Sequence, residues 1–185
     1  LAAFLTPLAS AQTPEPVARA VLFFSPTCGH CEFVIQEVMP TWFEEYGGIT
    51  PDVYFDESTA APPFFLVTNG MLEFLLVDVT IAEGFAMFAA ATEAWAIGNE
   101  AVPRLIIGRE VAIGSADIPE RVPPILDQAF AADGIAWPDI DGVAAVVDRL
   151  LATAAEPPAT TTTTVGTTTT IAVGVEQPVL VNLDP

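Results

Sequence analysis

The chain has 185 residues, 52% of them hydrophobic, and it carries 24 Asp and Glu against 5 basic residues, for a formal net charge of −19 at pH 7. This length allows one folded domain of roughly 100–150 residues with additional tails, and a domain of that size buries a full core. Affinity for nucleic acid comes mainly from neutralising phosphates, so the acidity argues against a nucleic-acid partner and against an anionic membrane surface. We favour a solvated acidic surface over adaptation to salt or to a basic partner.

Residues 1–16 are interpreted as the remnant of a signal peptide and an extended lead-in. The first eight residues are mostly apolar, and the Ala-Ser-Ala sequence at 9–11 fits the small-x-small pattern of a signal-peptidase site. An apolar run this short, interrupted by Pro7, cannot span a membrane. We therefore expect an exported, extracytoplasmic protein whose mature chain begins near Gln12.

A domain that alternates strands and helices is predicted over residues 17–155. Residues 17–25 are apolar at consecutive positions, which is typical of a strand that is covered on both faces. A helix is predicted from about Gly29 to Tyr46. Pro40 should kink this helix, and Gly47-Gly48 should end it.

The rest of the domain is predicted from shorter patterns. After an insertion-like stretch, the elements in chain order are a short strand or hydrophobic flap at 64–67, a strand at 71–79, a helix at 84–97, a hairpin formed by 104–107 and 111–113, and helices at 119–132 and 140–155. Ser115 or Asp117 is the expected cap of the helix at 119–132. The order predicts an α/β sandwich with a mixed sheet, in which the strands at 21–25 and 72–79 pair in parallel through a right-handed crossover.

The chain beyond residue 155 is predicted to lie outside the domain. Residues 156–170 are rich in Pro and Thr, which indicates a flexible linker. Residues 171–185 form an apolar tail that is too short and too interrupted to span a membrane. One interpretation of this tail is the start of a further region.

Both cysteines and the only histidine lie in one tetrapeptide, Cys28-Gly29-His30-Cys31. The tetrapeptide begins the first predicted helix, where free backbone N–H groups and the helix dipole stabilise a thiolate. The spacing places the two sulfurs within bonding reach, so a disulfide can close and reopen with little backbone motion. We predict that Cys28 is the nucleophile and Cys31 the resolving thiol. His30 would stabilise the Cys28 thiolate or move a proton.

Two other interpretations of the tetrapeptide are less favoured. A zinc site normally needs four nitrogen or sulfur ligands, and two cysteines with one adjacent histidine do not supply them within one chain, so we expect no metal. A purely structural disulfide would close a loop too short to add much stability. No cofactor is expected for a dithiol that exchanges disulfides directly.

The stretch from Phe23 to Cys31 resembles the active-site strand and turn of the thioredoxin superfamily, and Cys-Gly-His-Cys is the tetrapeptide typical of protein disulfide isomerases. Val102-Pro103, directly before the predicted hairpin, is similar to the family's cis-proline loop. The resemblance covers about residues 17–155 and implies a thioredoxin-like three-layer sandwich with a central mixed β-sheet flanked by helices. It also implies a cis bond before Pro103, and it makes Thr27, Val102 and Pro103 the candidate substrate-binding residues.

Three positions depart from the family's pattern. Leu22 stands where the family often has a buried acid, so proton transfer to Cys31 needs another group or water. Thr27 replaces the aromatic residue that commonly precedes the first cysteine. Glu32 stands where a Lys is frequent in disulfide isomerases, and its carboxylate should oppose thiolate formation at the dithiol. Phe64 to Val67 could flank a substrate groove, although packing at the sheet edge is the favoured interpretation.

The expected function is that of an exported thiol–disulfide oxidoreductase. It would act, as a monomer, on cysteines of other exported proteins or relay electrons to a membrane redox partner. The direction stays open, because related dithiols range from about −270 mV to about −120 mV. Two alternatives remain: a binding or adaptor module on the same scaffold, and delivery of a metal such as copper by the dithiol.

Overall fold

Strands and helices alternate in the structure, a computed structural model that describes residues 15–48, 62–155 and 181–182. The strands are β1 (Val17–Phe24), β2 (Phe64–Thr68), β3 (Leu72–Asp78), β4 (Arg104–Ile107), β5 (Glu110–Ile113), β6 (Gly134–Ile135) and β7 (Val181–Asn182). The helices are α1 (Gly29–Phe33), a π-helical segment (Val34–Val38), α2 (Met39–Gly47), α3 (Ala82–Ala94), α4 (Asp117–Phe130) and α5 (Val143–Ala155). The predicted signal remnant, the linker and most of the tail lie outside the described residues.

The described strands form one mixed sheet in the order β5-β4-β1-β3-β2-β7, and β6 pairs with the start of β1. β1 and β3 are parallel, as predicted, whereas β4 runs antiparallel to β1 and β2 runs antiparallel to β3. β1 and β3 lie in the middle of the sheet, which explains why both are apolar along most of their length. The hairpin of β4 and β5 is also confirmed.

Two cores lie on opposite faces of the sheet. Ala20, Leu22 and Phe24 of β1 pack on the face that carries the dithiol helix, α2 and α4. Val21 and Phe23 pack on the other face, against α3 and α5. Side chains alternate between the faces of a strand, so one apolar strand serves both cores. The predicted α/β class with helices flanking a central mixed sheet is therefore confirmed, and the arrangement is compatible with a thioredoxin-like sandwich.

The helix that carries the dithiol is continuous from Gly29 to Gly47 but changes its hydrogen bonding midway. In the π-helical segment the Met39 N–H donates to the Val34 carbonyl, five residues back. Pro40 then lies in the first turn of α2, where its missing N–H costs least. The irregularity thus lies in the turn before the proline rather than at it. Gly48, with φ of 67°, ends the helix as predicted.

The chain from 64 to 67 forms a sheet strand rather than a flap. Phe64 and Leu66 pack into the core shared with α3 and α5, and Val67 packs into the other core. This burial supports packing at the sheet edge over a substrate groove. Asn69 stabilises the turn into β3: its side-chain amide donates to the Phe43 carbonyl at 2.9 Å, and its oxygen accepts from the Leu72 N–H at 2.8 Å.

The predicted capping of α4 is wrong. The residue before the helix is Ala116, and no side chain caps it. Asp117 instead accepts a hydrogen bond from the Ile113 N–H at 3.0 Å and so ties the helix back to β5. The Ser115 hydroxyl is used by a partner that is remote in sequence and is described below. Both side chains serve tertiary contacts, which a local capping pattern does not reveal.

β6 was not predicted, because a two-residue strand has no periodicity to detect. It lies between α4 and α5 and pairs with Val17 and Ala18. Gly134 is required there: its φ is 86°, and a Cβ atom would lie 2.3 Å from the Val17 carbonyl oxygen. Within the residues that the structure describes, no helix is long and apolar enough to cross a membrane.

Candidate functional site

The dithiol lies at the edge of the sheet where β1 and β3 end and β4 begins. Phe24, the last residue of β1, is paired with Asp78, and Phe23 is paired with Arg104. A short turn follows β1, in which the Cys28 N–H donates to the Ser25 carbonyl at 3.1 Å. This turn carries the chain from the sheet into α1. The candidate site is therefore built on the ends of central strands, which fixes its backbone firmly.

Cys28 occupies the position before the first turn of α1, in an extended conformation. Its carbonyl accepts from the N–H groups of Cys31 and Glu32, at 2.9 and 3.0 Å. Its side chain is half-buried at the surface, whereas Cys31, one turn later, is 1% exposed. Both are free thiols, and the two side chains lie within hydrogen-bonding reach of each other.

The environments of the two thiols differ because one is buried. The pKa of Cys31 is raised to about 12, mainly because burial disfavours the thiolate; the adjacent Cys28 side chain contributes to the rise, and a hydrogen bond from the backbone of Ser25 opposes it. Cys31 therefore stays protonated at neutral pH. Only Cys28 combines access to solvent with a place at the start of a helix, which supports its predicted role as the attacking thiol.

The Val102–Pro103 bond is cis, as the resemblance implies. The Val102 carbonyl oxygen lies 3.9 Å from the Cys28 sulfur, so the loop before β4 faces the dithiol. The Pro103 carbonyl accepts from the Gly114 N–H at 2.8 Å. Among the described residues, the Val102 N–H has no hydrogen-bond partner. The structure thus places Val102 beside Cys28, and Pro103 follows it directly before β4.

His30 lies on the exposed side of α1. Its Nδ1 atom is 2.9 Å from the Ser115 hydroxyl, which belongs to the junction between β5 and α4. The capping role predicted for Ser115 is thus replaced by a contact with His30. No local signal could have revealed it, since the two residues are 85 positions apart.

Leu22, Thr27 and Glu32, which depart from the family's pattern, differ in their burial. Leu22 is fully buried between Leu76 and Leu105, so that point of the sheet offers no proton acceptor. Glu32 is exposed, and solvent weakens the effect of its charge on the dithiol. Thr27 is exposed beside Cys28, and its hydroxyl lies 3.2 Å from that of Ser25. Its contact with a substrate stays a prediction.

Asp78 is the one buried carboxylate among the described residues, and sequence analysis did not single it out. It lies on the sheet face that carries the dithiol, next to Phe24. Its Oδ1 atom accepts from the N–H and the hydroxyl of Thr80, at 2.8 and 2.6 Å. These bonds shape the turn from β3 into α3, and this structural role explains why the Asp78 carboxylate is buried.

Arg104 is a buried cation directly after the cis-proline. Its side chain is fully buried on the face opposite the dithiol. The guanidinium donates to the Thr92 hydroxyl at 2.6 Å and to the Asn99 carbonyl, and it stacks over the Phe88 ring at 4.1 Å. Burial lowers its pKa. Through Asn99, Arg104 holds the segment that leads into the cis-proline loop, a role with no sequence signature.

Comparison with protein-family models gives no match for this chain, and comparison with curated proteins gives none either. The described residues also contain no cluster of three or more His, Cys, Asp or Glu side chains that could hold a metal ion.

Proposed function

We propose that this protein is a thiol–disulfide oxidoreductase of the thioredoxin type that exchanges disulfides with cysteines of other proteins. The proposal rests on one observation: at the start of a helix, beside the cis-proline loop, one thiol is accessible and the other, close to it, is buried. A half-buried Cys28 next to the Val102 carbonyl can meet a substrate sulfur, while the buried Cys31 lies within reach of Cys28.

The exchange proceeds in two steps. The Cys28 thiolate attacks one sulfur of a substrate disulfide, which forms a mixed disulfide and releases the other substrate sulfur as a thiolate that takes up a proton. Cys31 then loses its proton and attacks the Cys28 sulfur. The second substrate sulfur leaves as a thiol, and a Cys28–Cys31 disulfide remains. The substrate gains two electrons from the dithiol, and the reverse sequence oxidises a substrate.

Because the two thiols are buried to different extents, they differ in protonation when the exchange begins. Cys31 is protonated in the resting dithiol because burial raises its pKa to about 12. Its proton must be removed when the mixed disulfide has formed. Leu22 offers no base for this proton. Water or another group therefore has to accept it.

The backbone of Val102 provides a place for an extended substrate segment. Its carbonyl faces Cys28, and its N–H has no partner among the described residues. A peptide that pairs with these groups would lie across the dithiol in the manner of an added strand. The proposed substrates are exported proteins with cysteines, with a membrane redox partner as electron donor or acceptor; the apolar N-terminal stretch and the Ala-Ser-Ala pattern support export.

Reduction of insulin disulfides tests the proposal. We expect wild-type protein to accelerate insulin reduction by dithiothreitol, Cys28→Ser to abolish the acceleration, and Cys31→Ser to accumulate a mixed disulfide through Cys28. Thr153→Ala, which removes a hydroxyl from the exposed side of α5, serves as the matched control. Absence of Cys28-dependent turnover, together with a Cys28–Cys31 disulfide that resists dithiothreitol, would refute the proposal and favour an adaptor module.

A further inference from the structure

Contacts connect the dithiol helix, the cis-proline loop and the junction between β5 and α4 to one another. The Cys28 sulfur faces the Val102 carbonyl at 3.9 Å. The next carbonyl, that of Pro103, accepts from the Gly114 N–H at 2.8 Å. The residue after Gly114 is Ser115, whose hydroxyl lies 2.9 Å from Nδ1 of His30, two positions beyond Cys28. The junction between β5 and α4 is thus linked to both the cis-proline loop and the dithiol helix.

Ser115 is well suited to hold the imidazole in one orientation. Its backbone is fixed, because the Gly114 N–H bonds to Pro103 and the Gly114 carbonyl accepts from the Ile118 N–H at 3.2 Å. A hydroxyl can donate to a bare Nδ1 or accept from a protonated one, so the contact persists in both charge states of the ring. No described residue hydrogen-bonds to Nε2, which leaves that nitrogen available to the sulfur chemistry.

We infer that Ser115 is a positioning residue for His30 and thereby stabilises the reduced form of the dithiol. In the proposed site His30 would favour the Cys28 thiolate, which exists only in the reduced protein. Without the hydroxyl, the exposed ring would rotate freely and spend part of its time directed into solvent. The inference rests on the proposed function in one respect: it assigns Ser115 a role in the redox equilibrium of the proposed active site.

The first measurement reads the contact itself and needs no activity. His30 is the only histidine, so the ¹⁵N resonances of its ring are unambiguous. We expect Ser115→Ala to shift the Nδ1 resonance, Ser115→Thr to retain the wild-type value, and Thr153→Ala to leave it unchanged. Ser115→Val, which has the shape of Thr without the hydroxyl, should behave like Ser115→Ala. Equal Nδ1 shifts in wild type, Ser115→Ala and Ser115→Val would overturn the inference.

The second measurement is the equilibrium of the Cys28–Cys31 pair with glutathione, which requires no protein substrate. Loss of one hydrogen bond is worth about fivefold in an equilibrium constant. We therefore expect Ser115→Ala to favour the disulfide by about fivefold, which corresponds to a potential about 20 mV more reducing. In a His30→Ala background the same substitution should have no effect. A shift that persists without His30 would mean that Ser115 acts through the fold, which would also overturn the inference.

The two proposals fail in different ways. Absence of Cys28-dependent turnover, with an Nδ1 resonance and a glutathione equilibrium that still respond to Ser115→Ala, would refute the oxidoreductase and leave the role of Ser115 intact. Normal turnover with neither quantity changed by Ser115→Ala would refute the role of Ser115 and leave the oxidoreductase intact.

Discussion

Selective alkylation of Cys28 is the most direct consequence of the different burial of the two thiols. In the reduced, folded protein at pH 8, iodoacetamide should modify Cys28 and leave Cys31 almost untouched. The reagent reacts with thiolates, and the structure determines how much thiolate Cys31 can form. Its side chain is 1% exposed, and burial raises its pKa from 9.0 to about 12.

The size of the effect follows from this pKa. A rise of three units lowers the thiolate fraction at pH 8 by about a thousandfold. A more basic thiolate is also more nucleophilic. With a Brønsted coefficient of about 0.45, the rate constant of the Cys31 thiolate itself rises about twentyfold and offsets part of this loss. Ionisation alone should therefore slow the alkylation of Cys31 by about fiftyfold relative to an ordinary thiol, and steric protection adds to that value.

Mass spectrometry of peptides after timed alkylation measures the two rates separately. Urea-unfolded protein is the internal control, because there Cys31 should react as an ordinary thiol. The Cys28→Ser variant tests whether burial is the main cause, since it removes the neighbouring thiol and should leave most of the protection. Comparable rates for both cysteines in the folded protein would refute the assignment of Cys28 as the attacking thiol.

Two further predictions concern stability. Cys31 holds its proton more tightly in the folded state than in the unfolded state, so the free energy of unfolding of the reduced protein should fall as the pH rises from about 9 to about 12, by an amount of order 4 kcal/mol. Urea unfolding of the wild type and of Cys31→Ala across this pH range measures the fall. Equal pH dependence in both proteins would show that Cys31 is not the cause. Arg104→Met should stay within about 1 kcal/mol of wild type in urea unfolding, because it removes a costly buried charge and fills its space, whereas Arg104→Ala should lose about 3 kcal/mol or more through the cavity. Equal losses in the two variants would mean that the bonds to Thr92 and Asn99 dominate.

Local sequence patterns were sufficient to predict the main elements of the fold. The continuous apolar runs of β1 and β3 indicate central strands, because only strands covered on both faces tolerate such composition. The two runs around Gly108 indicate a hairpin. The candidate thiols were also predicted from sequence, since a Cys-x-x-Cys pair at the start of a helix combines reach with a favourable backbone environment.

Other features depend on residues that are distant in sequence. β6 exists only because Val17 and Ala18 offer backbone groups to pair with. The cation of Arg104 is buried because Phe88, Thr92 and the Asn99 carbonyl surround it, and none of these contacts has a local pattern.

The amino-acid sequence alone predicts the candidate site of this protein: one pair of thiols two residues apart, between a strand and a helix, with a single histidine between them. The differences between those groups arise only in the folded protein. Burial in the core distinguishes Cys31 from Cys28, and folding brings the Val102 carbonyl to the sulfur and the Ser115 hydroxyl to the imidazole. The physical reason is that pKa values and side-chain orientation depend on neighbours in space, and here those neighbours are 74 and 85 residues away along the chain.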